Sequence, residues 1–488
     1  MLVFANPSLH QGAPYPEFTL FDIQQGVAIC LLVKFSSSKE NAKVFHTNLF
    51  GLREYKYEWL MTNHKYMGTP EWIQLHPQTS SYLFTPQNIN LRSEYEKHTS
   101  LTEIMLLNSA GMVTARDSLT LHWSESDVLK TVKDFASLPI EKARAKYDLG
   151  EDARDWKVSL AQEDINSEKI TSKKVSRTLY RPFDVRFTYY TGRTRGFICM
   201  PRPEVMSHIL AGNNLAIIAT RQTRDEWAVL ATDILICHKA MAAYDINSLF
   251  PLYLYSTGRL GRESKNLELP GMYKSSRTPN LSPKFIRKIT SNIGLKYIED
   301  GTGDLRKTFG PEDVFHYMYA VFHSPTYRSR YAEFLKIDFP RLPLTSNVAL
   351  FRQLCGLGAD LVALHLLEAE YPHASWRKAG APAPFSSPIT RFVGAGDKVV
   401  AKGYPKYQAG KVYINAEAHF AGVPEEVWEF HIGGYQVCEK WLKDRRGRQL
   451  SAEDVAHYQK VVVALKETIR LMAEVDEAIE SHGGWPIR

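Results

Sequence analysis

The sequence predicts a mixed α/β protein, and three observations carry that expectation. Short apolar runs of strand length recur along the chain, and segments with three- and four-residue apolar spacing begin at recognisable helix caps. Of the 488 residues, 44% are hydrophobic and 12% aromatic, enough to build a large core. That length fits two to four domains.

Residues 26–35 read GVAICLLVKF, a continuous run that predicts a strand buried on both faces of a sheet. From 49 to 75 the chain is dense in Tyr and Trp, and Pro70, Pro77 and Pro86 interrupt any long element, so short elements and loops are expected. After Ser and Asp capping candidates at 126–127, Val128, Leu129, Val132 and Phe135 follow a helical period that Pro139 stops. Residues 185–190, 215–220 and 250–255 (FPLYLY) predict strands. Between 256 and 283 the composition shifts to Gly, Ser, Arg, Lys and Pro, which predicts a long exposed basic loop. Pro311 suits a first helical position, and Val314, Tyr317, Met318 and Val321 then line one face as far as Pro325. A short helix over 326–336 follows. Ser451 and Asp454 form a capping box ahead of Val455, Tyr458, Val462, Leu465, Ile469 and Met472. The spacing predicts a helix of about 28 residues, stopped by Gly483–Gly484.

Most chemistry-bearing motifs are missing. Five scattered cysteines with no Cys-x-x-Cys pair predict reduced, mostly buried thiols and no zinc site. The N-terminus lacks a signal-peptide pattern, and no apolar run approaches the roughly 18 to 20 residues of a membrane span, so a soluble, cytoplasmic chain without a membrane partner is expected. There is no phosphate loop, metal-binding His-Glu-x-x-His or nucleophile elbow. The GTGD (301–304) and GAGD (394–397) strings lack a strand-to-helix frame and are expected to be ordinary turns. His316, Tyr317 and His323 fall in the amphipathic helix and are expected to pack rather than ligate. Arg181, Asp184 and Arg186 in YRPFDVR are expected to form a structural Arg–Asp pair beside Pro182.

Charge distribution is more informative. The net charge is only +7, yet residues 173–224 carry ten Lys/Arg against Asp184 and Glu204, with eight of the ten being arginine. Tyrosines and phenylalanines are interleaved. Guanidinium forks suit phosphate oxygens and guanine edges, and aromatics can stack on bases; a solvated face over an aromatic core gives the same composition. A second stretch, 259–288, carries eight Lys/Arg, and a third comprises Lys440, Lys443, Arg445, Arg446 and Arg448.

Seven strings in order carry a resemblance: FDIQQGVAICLLVK (21–34), LREYKYEWL (52–60), SAGMVTARDSL (109–119), SRTLYRPFDVRFTYY (176–190), FPLYLY (250–255), PEDVFHYMYAVFHSPTYRSRYAEFLKIDFPRLPL (311–344) and YQVCEKWLKDRRGRQLSAEDVAHY (435–458). This set resembles the C-terminal part of Type ISP restriction-modification enzymes and related adenine-specific DNA methyltransferases, across about 18–479. In that family a nuclease and an ATP-driven translocase precede a methyltransferase domain, and a target-recognition domain follows it. The methyltransferase uses a Gly-rich motif for S-adenosylmethionine and an Asn-Pro-Pro-Tyr/Phe motif for the flipped adenine.

Here Asn6-Pro7-Ser8 lacks the second proline and the aromatic, so the resemblance implies no catalytic residue and no S-adenosylmethionine pocket in this chain. It implies a remnant of the methyltransferase sheet at 1–60, a junction at 61–205, a DNA target-recognition domain at 206–450 and a C-terminal helix at 451–488. Taken with the charge pattern, it makes Arg193, Arg195, Arg202, Arg221 and Arg224 candidate backbone contacts on double-stranded DNA. Arg259, Arg262 and Lys265 are candidate loop contacts. Two other readings stay open: a methyltransferase half completed by a methyltransferase or translocase partner chain, and a non-DNA assembly scaffold docking through its last helix.

Overall fold

The computed structural model describes residues 2–4, 29–33, 42–62, 72–77, 82, 84–86, 88–256, 277–394 and 396–487. The chain divides into two compact units, Met1–Glu94 and Tyr95–Arg488. In the first, a four-stranded sheet runs in the order Ile29–Leu31, Leu2–Phe4, Val44–Thr47, Ile73–Leu75, with the middle two strands parallel. A helix, Arg53–Thr62, follows the third of these strands in sequence, in keeping with the short elements expected there. The doubly buried strand expected from GVAICLLVKF is not found in its described part. Ile29–Leu31 is a three-residue strand paired, among the described residues, only with Leu2–Phe4, and Leu31, Leu32 and Val33 are 51%, 70% and 55% exposed. An apolar run states a preference for burial, but among the described residues this strand gains no layer that supplies it. The Asn6-Pro7-Ser8 string lies outside the described residues.

The second unit is built from mixed helices and small sheets. Helix α1 (Glu125–Ser137) starts where the Ser124 hydroxyl accepts the Asp127 amide at 3.2 Å, and it buries Val128, Val132 and Phe135 completely. It packs on an antiparallel hairpin of β1 (Val175–Arg181) and β2 (Asp184–Tyr189). Strands β3 (Ala216–Thr220), β4 (Val229–Thr232) and β5 (Asn247–Pro251) form a second antiparallel sheet in the order β4–β3–β5, completed by Ser109–Ala110. Every residue of β3 and β4 is buried, hence their unbroken apolar character. FPLYLY is two strands rather than one. At Leu252, whose amide bonds the Leu215 carbonyl, the chain leaves this sheet, and Tyr253–Tyr255 pairs instead with Arg277–Pro279.

Three helices form the core of the remainder. Helix α2 (Pro311–His323) is buried nearly all round. Asp313 in its first turn accepts amides from Gly303 at 2.6 Å and Gly310 at 2.8 Å; burial nevertheless raises its carboxyl to about 6. The helix expected over 326–336 is two short ones, Pro325–Arg330 and Ala332–Leu335, divided at the buried Tyr331. Helix α3 (Val348–Leu366) was not foreseen from the sequence. Asn347 caps it by accepting the Ala349 and Leu350 amides, and it packs against α2 and the last helix. Contrary to the expectation of no span-length segment, α3 is long and apolar enough to cross a membrane by length and composition. Within this fold 67% of that stretch is buried against protein. Gly358 faces the His316 carbonyl so closely that a side chain there would collide with backbone.

Strands β6 (Arg391–Val393), β7 (Lys406–Gln408), β8 (Lys411–Tyr413) and β9 (His419–Ala421) make a four-stranded sheet ordered β6–β9–β8–β7, every pairing antiparallel. Helix α4 (Val437–Lys443) leads to α5 (Ala452–Ser481), a 30-residue helix that starts at the expected Ser451–Asp454 box. The GTGD string leads into a loop in which Asp304 accepts the amides of Arg306, Lys307 and Thr308; Ala395 of GAGD lies outside the described residues, and Asp397 accepts the Val399 amide. All five cysteines are free and four are buried.

Candidate nucleic-acid interface

The basic stretches divide into buried, paired and unpaired cations, and only the last kind has charge to spare for a ligand. The β1–β2 turn holds the buried kind. Asp184, fully buried, accepts a fork from Arg186 (Nε to Oδ1 3.0 Å, Nη2 to Oδ2 2.8 Å) and a third bond from Arg445 Nη2 at 3.0 Å. Burial alone would raise this carboxyl, but Arg445 and Arg186 hold it below its ordinary value; burial correspondingly pulls Arg445 down. Trp123 lies beneath three guanidinium groups, Arg186 at 3.3 Å, Arg448 at 4.1 Å and Arg445 at 4.6 Å from its ring centre. The structural pair expected in YRPFDVR is therefore Asp184 with Arg186, joined by Arg445. Arg181 instead donates to the Tyr180 and Lys239 carbonyls.

The loop after β2 is shaped by Asp164, a buried carboxylate that accepts the Thr191 hydroxyl and the Phe197 amide, each at 2.8 Å. Gly196 passes so close to that carboxylate that any side chain would strike it. Arg193 and Arg195 are thereby displayed at the surface, but each faces an acid, Glu163 at 2.8 Å and Asp155 at 3.2 Å. Arg202, half-buried at φ 55° before the Pro203–Leu210 helix, donates to the Met200 sulfur at 3.5 Å. Arg221, beyond β3, is 3.4 Å from Asp338. Arg224 differs from these four. Its amide is tied to Asp245 at 2.9 Å, and its guanidinium has no ion-pair or hydrogen-bond partner among the described residues. The exposed Tyr244 and Ile246 flank that same Asp245. Composition pointed to the arginines but not to these two apolar neighbours, which follow no periodic pattern. Arg259, Arg262 and Lys265 lie outside the described residues.

The third basic stretch is mostly spent within the fold. Lys440 pairs with Asp444, Lys443 with Glu439, and Arg448 with Asp454, while Arg445 is buried. Arg446 donates to the Tyr404 carbonyl and meets no carboxylate among the described residues. The histidines of α2 pack as expected: His316 Nε2 meets the Tyr371 hydroxyl at 2.7 Å and His323 Nδ1 the Tyr319 carbonyl at 2.8 Å. Among the described residues no group of three or more His, Cys, Asp or Glu could hold a metal. A cavity of about 240 Å³ between the hairpin, β4 and α5 is lined by Arg177, Asp233, His365, His457 and Lys460. That is smaller than most small-molecule pockets, and both imidazoles are already engaged, His365 with Thr468 and Tyr319 and His457 with the Phe183 carbonyl.

These features define a protein whose described polar chemistry is spread over surfaces rather than gathered in a cleft. The family profile for the Type ISP C-terminal specificity domain matches residues 103–474, and the chain belongs to that family. A search of curated proteins gives no match. Three solved structures share the fold over 97% of this chain. They are a cryo-EM structure of a DrdV–DNA complex (TM-score 0.68, 18% identity), the ATP-dependent Type ISP restriction-modification enzyme LlaBIII bound to DNA (0.66, 17%), and a nuclease-deletion mutant of the Type ISP enzyme LlaGI in complex with a DNA substrate mimic (0.65, 19%). The chain spans less than half of each, 47%, 30% and 36% of their respective lengths.

Proposed function

We propose that this chain recognises double-stranded DNA in a sequence-dependent manner, as the specificity part of a Type ISP restriction-modification enzyme working in the cytoplasm. The observation that carries this reading is the match of residues 103–474 to the family's specificity domain. Solved relatives of the same fold captured with DNA support it, as does the unpartnered Arg224 beside exposed Tyr244 and Ile246. Target reading lies within 206–450. Arg224 is the leading backbone contact, and Arg193, Arg195, Arg202 and Arg221 can join only by exchanging a protein partner for a phosphate. Arg259, Arg262 and Lys265 keep their proposed role as loop contacts.

On the family resemblance, the reaction served is methylation of adenine. S-adenosylmethionine would supply the methyl group, but the described residues do not fit it. Gly51, the described glycine of the first unit, leads into Arg53–Thr62 with the Tyr55 ring packed on it and has no Gly-x-Gly frame. No methyl-transfer step is assigned to this chain.

Selection from random duplexes with the full chain, followed by anisotropy titrations at several salt concentrations, tests the reading. One preferred sequence should emerge, bound with a dissociation constant of about 10⁻⁶ to 10⁻⁸ M and weakening steeply with salt. Absence of duplex binding at low salt would overturn it. Labelled methyl transfer appearing only when a partner chain supplies the donor and adenine motifs would establish the methyltransferase-half reading. Salt-insensitive protein association without duplex affinity would establish the scaffold reading.

A further inference from the structure

Residues 389–423 carry five cations, Arg391, Lys398, Lys402, Lys406 and Lys411, against Asp397 and Glu417. The excess is smaller than in 173–224, but its disposition is different. No charged side-chain group of the five has an ion-pair or hydrogen-bond partner among the described residues; the Lys398 and Lys406 ammonium groups lie over the rings of Phe392 and Tyr404.

The strand register fixes where these charges point. Side chains directly opposite one another across antiparallel strands share a face. Tyr407, Val412, Phe420 and Phe392 are aligned across the four strands, and this row turns inward. Phe420 meets Tyr458 of α5 at 4.4 Å, and Tyr407 stacks on Trp428 at 5.4 Å. The opposite face is therefore outward. It bears one row of Arg391, Ala421, Lys411 and Gln408 and a second of Val393, His419, Tyr413 and Lys406. Arg391 and Lys411 flank the small Ala421, about 10 Å apart from the strand spacing, and the rows are about 7 Å apart along the strands. Arg391, Lys406, Gln408 and Lys411 are all exposed.

Cations repeated in rows across one exposed face can be met in succession by a linear polyanion. We propose that the outer face of the β6–β9–β8–β7 sheet is a phosphate-backbone contact for duplex DNA, with Arg391, Lys406 and Lys411 as its cations. This rests on the proposed function and adds a surface to it. Cations on one sheet face, with no Asn or Arg fork set into a base-reading pocket, bind sequence-independently and fix position rather than identity.

The test is the full chain carrying Arg391→Gln, Lys406→Gln and Lys411→Gln together, titrated with its selected duplex and with a scrambled duplex from 50 to 200 mM salt. An unchanged thermal transition verifies folding, and Arg193→Gln/Arg195→Gln serves as a comparison with equal chemistry elsewhere. Loss of three phosphate contacts should lower the log–log salt slope by about 2.7, so that the loss of affinity across that range becomes about 40-fold smaller. Both duplexes should weaken together, leaving the preference between them intact. A folded triple variant with the parent's affinity and slope would overturn the inference alone. A parent chain that binds neither duplex would overturn the proposed function as well.

Discussion

The hairpin cluster around Asp184 and the outer sheet face around Lys411 are both rich in cations, and they use them in opposite ways. In the cluster, Arg186 and Arg445 are desolvated, bonded to one carboxylate by a fork and by a single bond respectively, and placed over Trp123, so their charge is consumed in holding the fold together. On the sheet, Arg391, Lys406 and Lys411 are exposed and pair with no acid among the described residues. Local charge density in a sequence thus measures how many cations are present, while ligand binding depends on how many are left over.

The largest expected effect lies in the cluster. Asp184→Ala leaves two buried guanidinium groups without their carboxylate and should cost roughly 3–5 kcal/mol in chemical denaturation. A change below about 1 kcal/mol would place those arginines in contact with solvent and dissolve the contrast.

Acid should come next. Burial keeps His316 and His323 well below the ordinary imidazole value and lowers His365 to about 3. An unfolded imidazole takes up its proton near 6.5, so below that pH the unfolded chain binds more protons. Stability present above 6.5 is therefore lost as pH falls toward the folded values. Asp313, raised to about 6, acts in the opposite sense, stabilising below its unfolded value and losing that contribution as pH rises through about 6. Among the described residues burial also lowers His46, His208, His238 and His457 and raises Asp225, Asp360 and Glu368, so seven imidazoles against four carboxyls give a lower denaturation midpoint at pH 5 than at pH 7.5, and equal midpoints would contradict neutral burial of the rings.

A smaller effect separates the two kinds of exposed cation in DNA binding. Arg193→Gln/Arg195→Gln removes arginines already facing Glu163 and Asp155, and should shift the salt slope by less per residue than the sheet variant. Equal shifts per residue would mean that those acids do not compete with phosphate. The smallest effect is expected at Arg221, whose pair with Asp338 is 72% and 61% exposed. Arg221→Ala should change stability by about 0.5 kcal/mol or less in thermal melts.

Local signals in the sequence are legible where one short segment contains its own explanation. The Ser451–Asp454 box, Pro311 and the buried run of β3 each state an element without reference to anything distant. Helix α3 escapes because its polar side is short: Arg352 and Gln353 are exposed in its first half, and beyond them α2 and α5 help bury nearly every position, so no sustained period appears. The strand Ile29–Leu31 misleads for the reciprocal reason, since burial on both faces requires neighbours that the run itself does not encode. The site was legible only as a count. That Arg193 meets Glu163, 30 residues away, or that Arg445 meets Asp184 across 261, depends on tertiary contacts. The sheet face gives no sequence signal because its cations are spaced singly among Gly, Val and Tyr, and only the strand register assembles them.

The Asp184–Arg445 contact ties the middle of the polypeptide to the approach of its last helix. A protease cutting at the exposed turn of Gly380, Ala381 and Pro382 would sever the backbone between these anchors without separating them. Two fragments should therefore migrate as one species on a native gel and part only in denaturant.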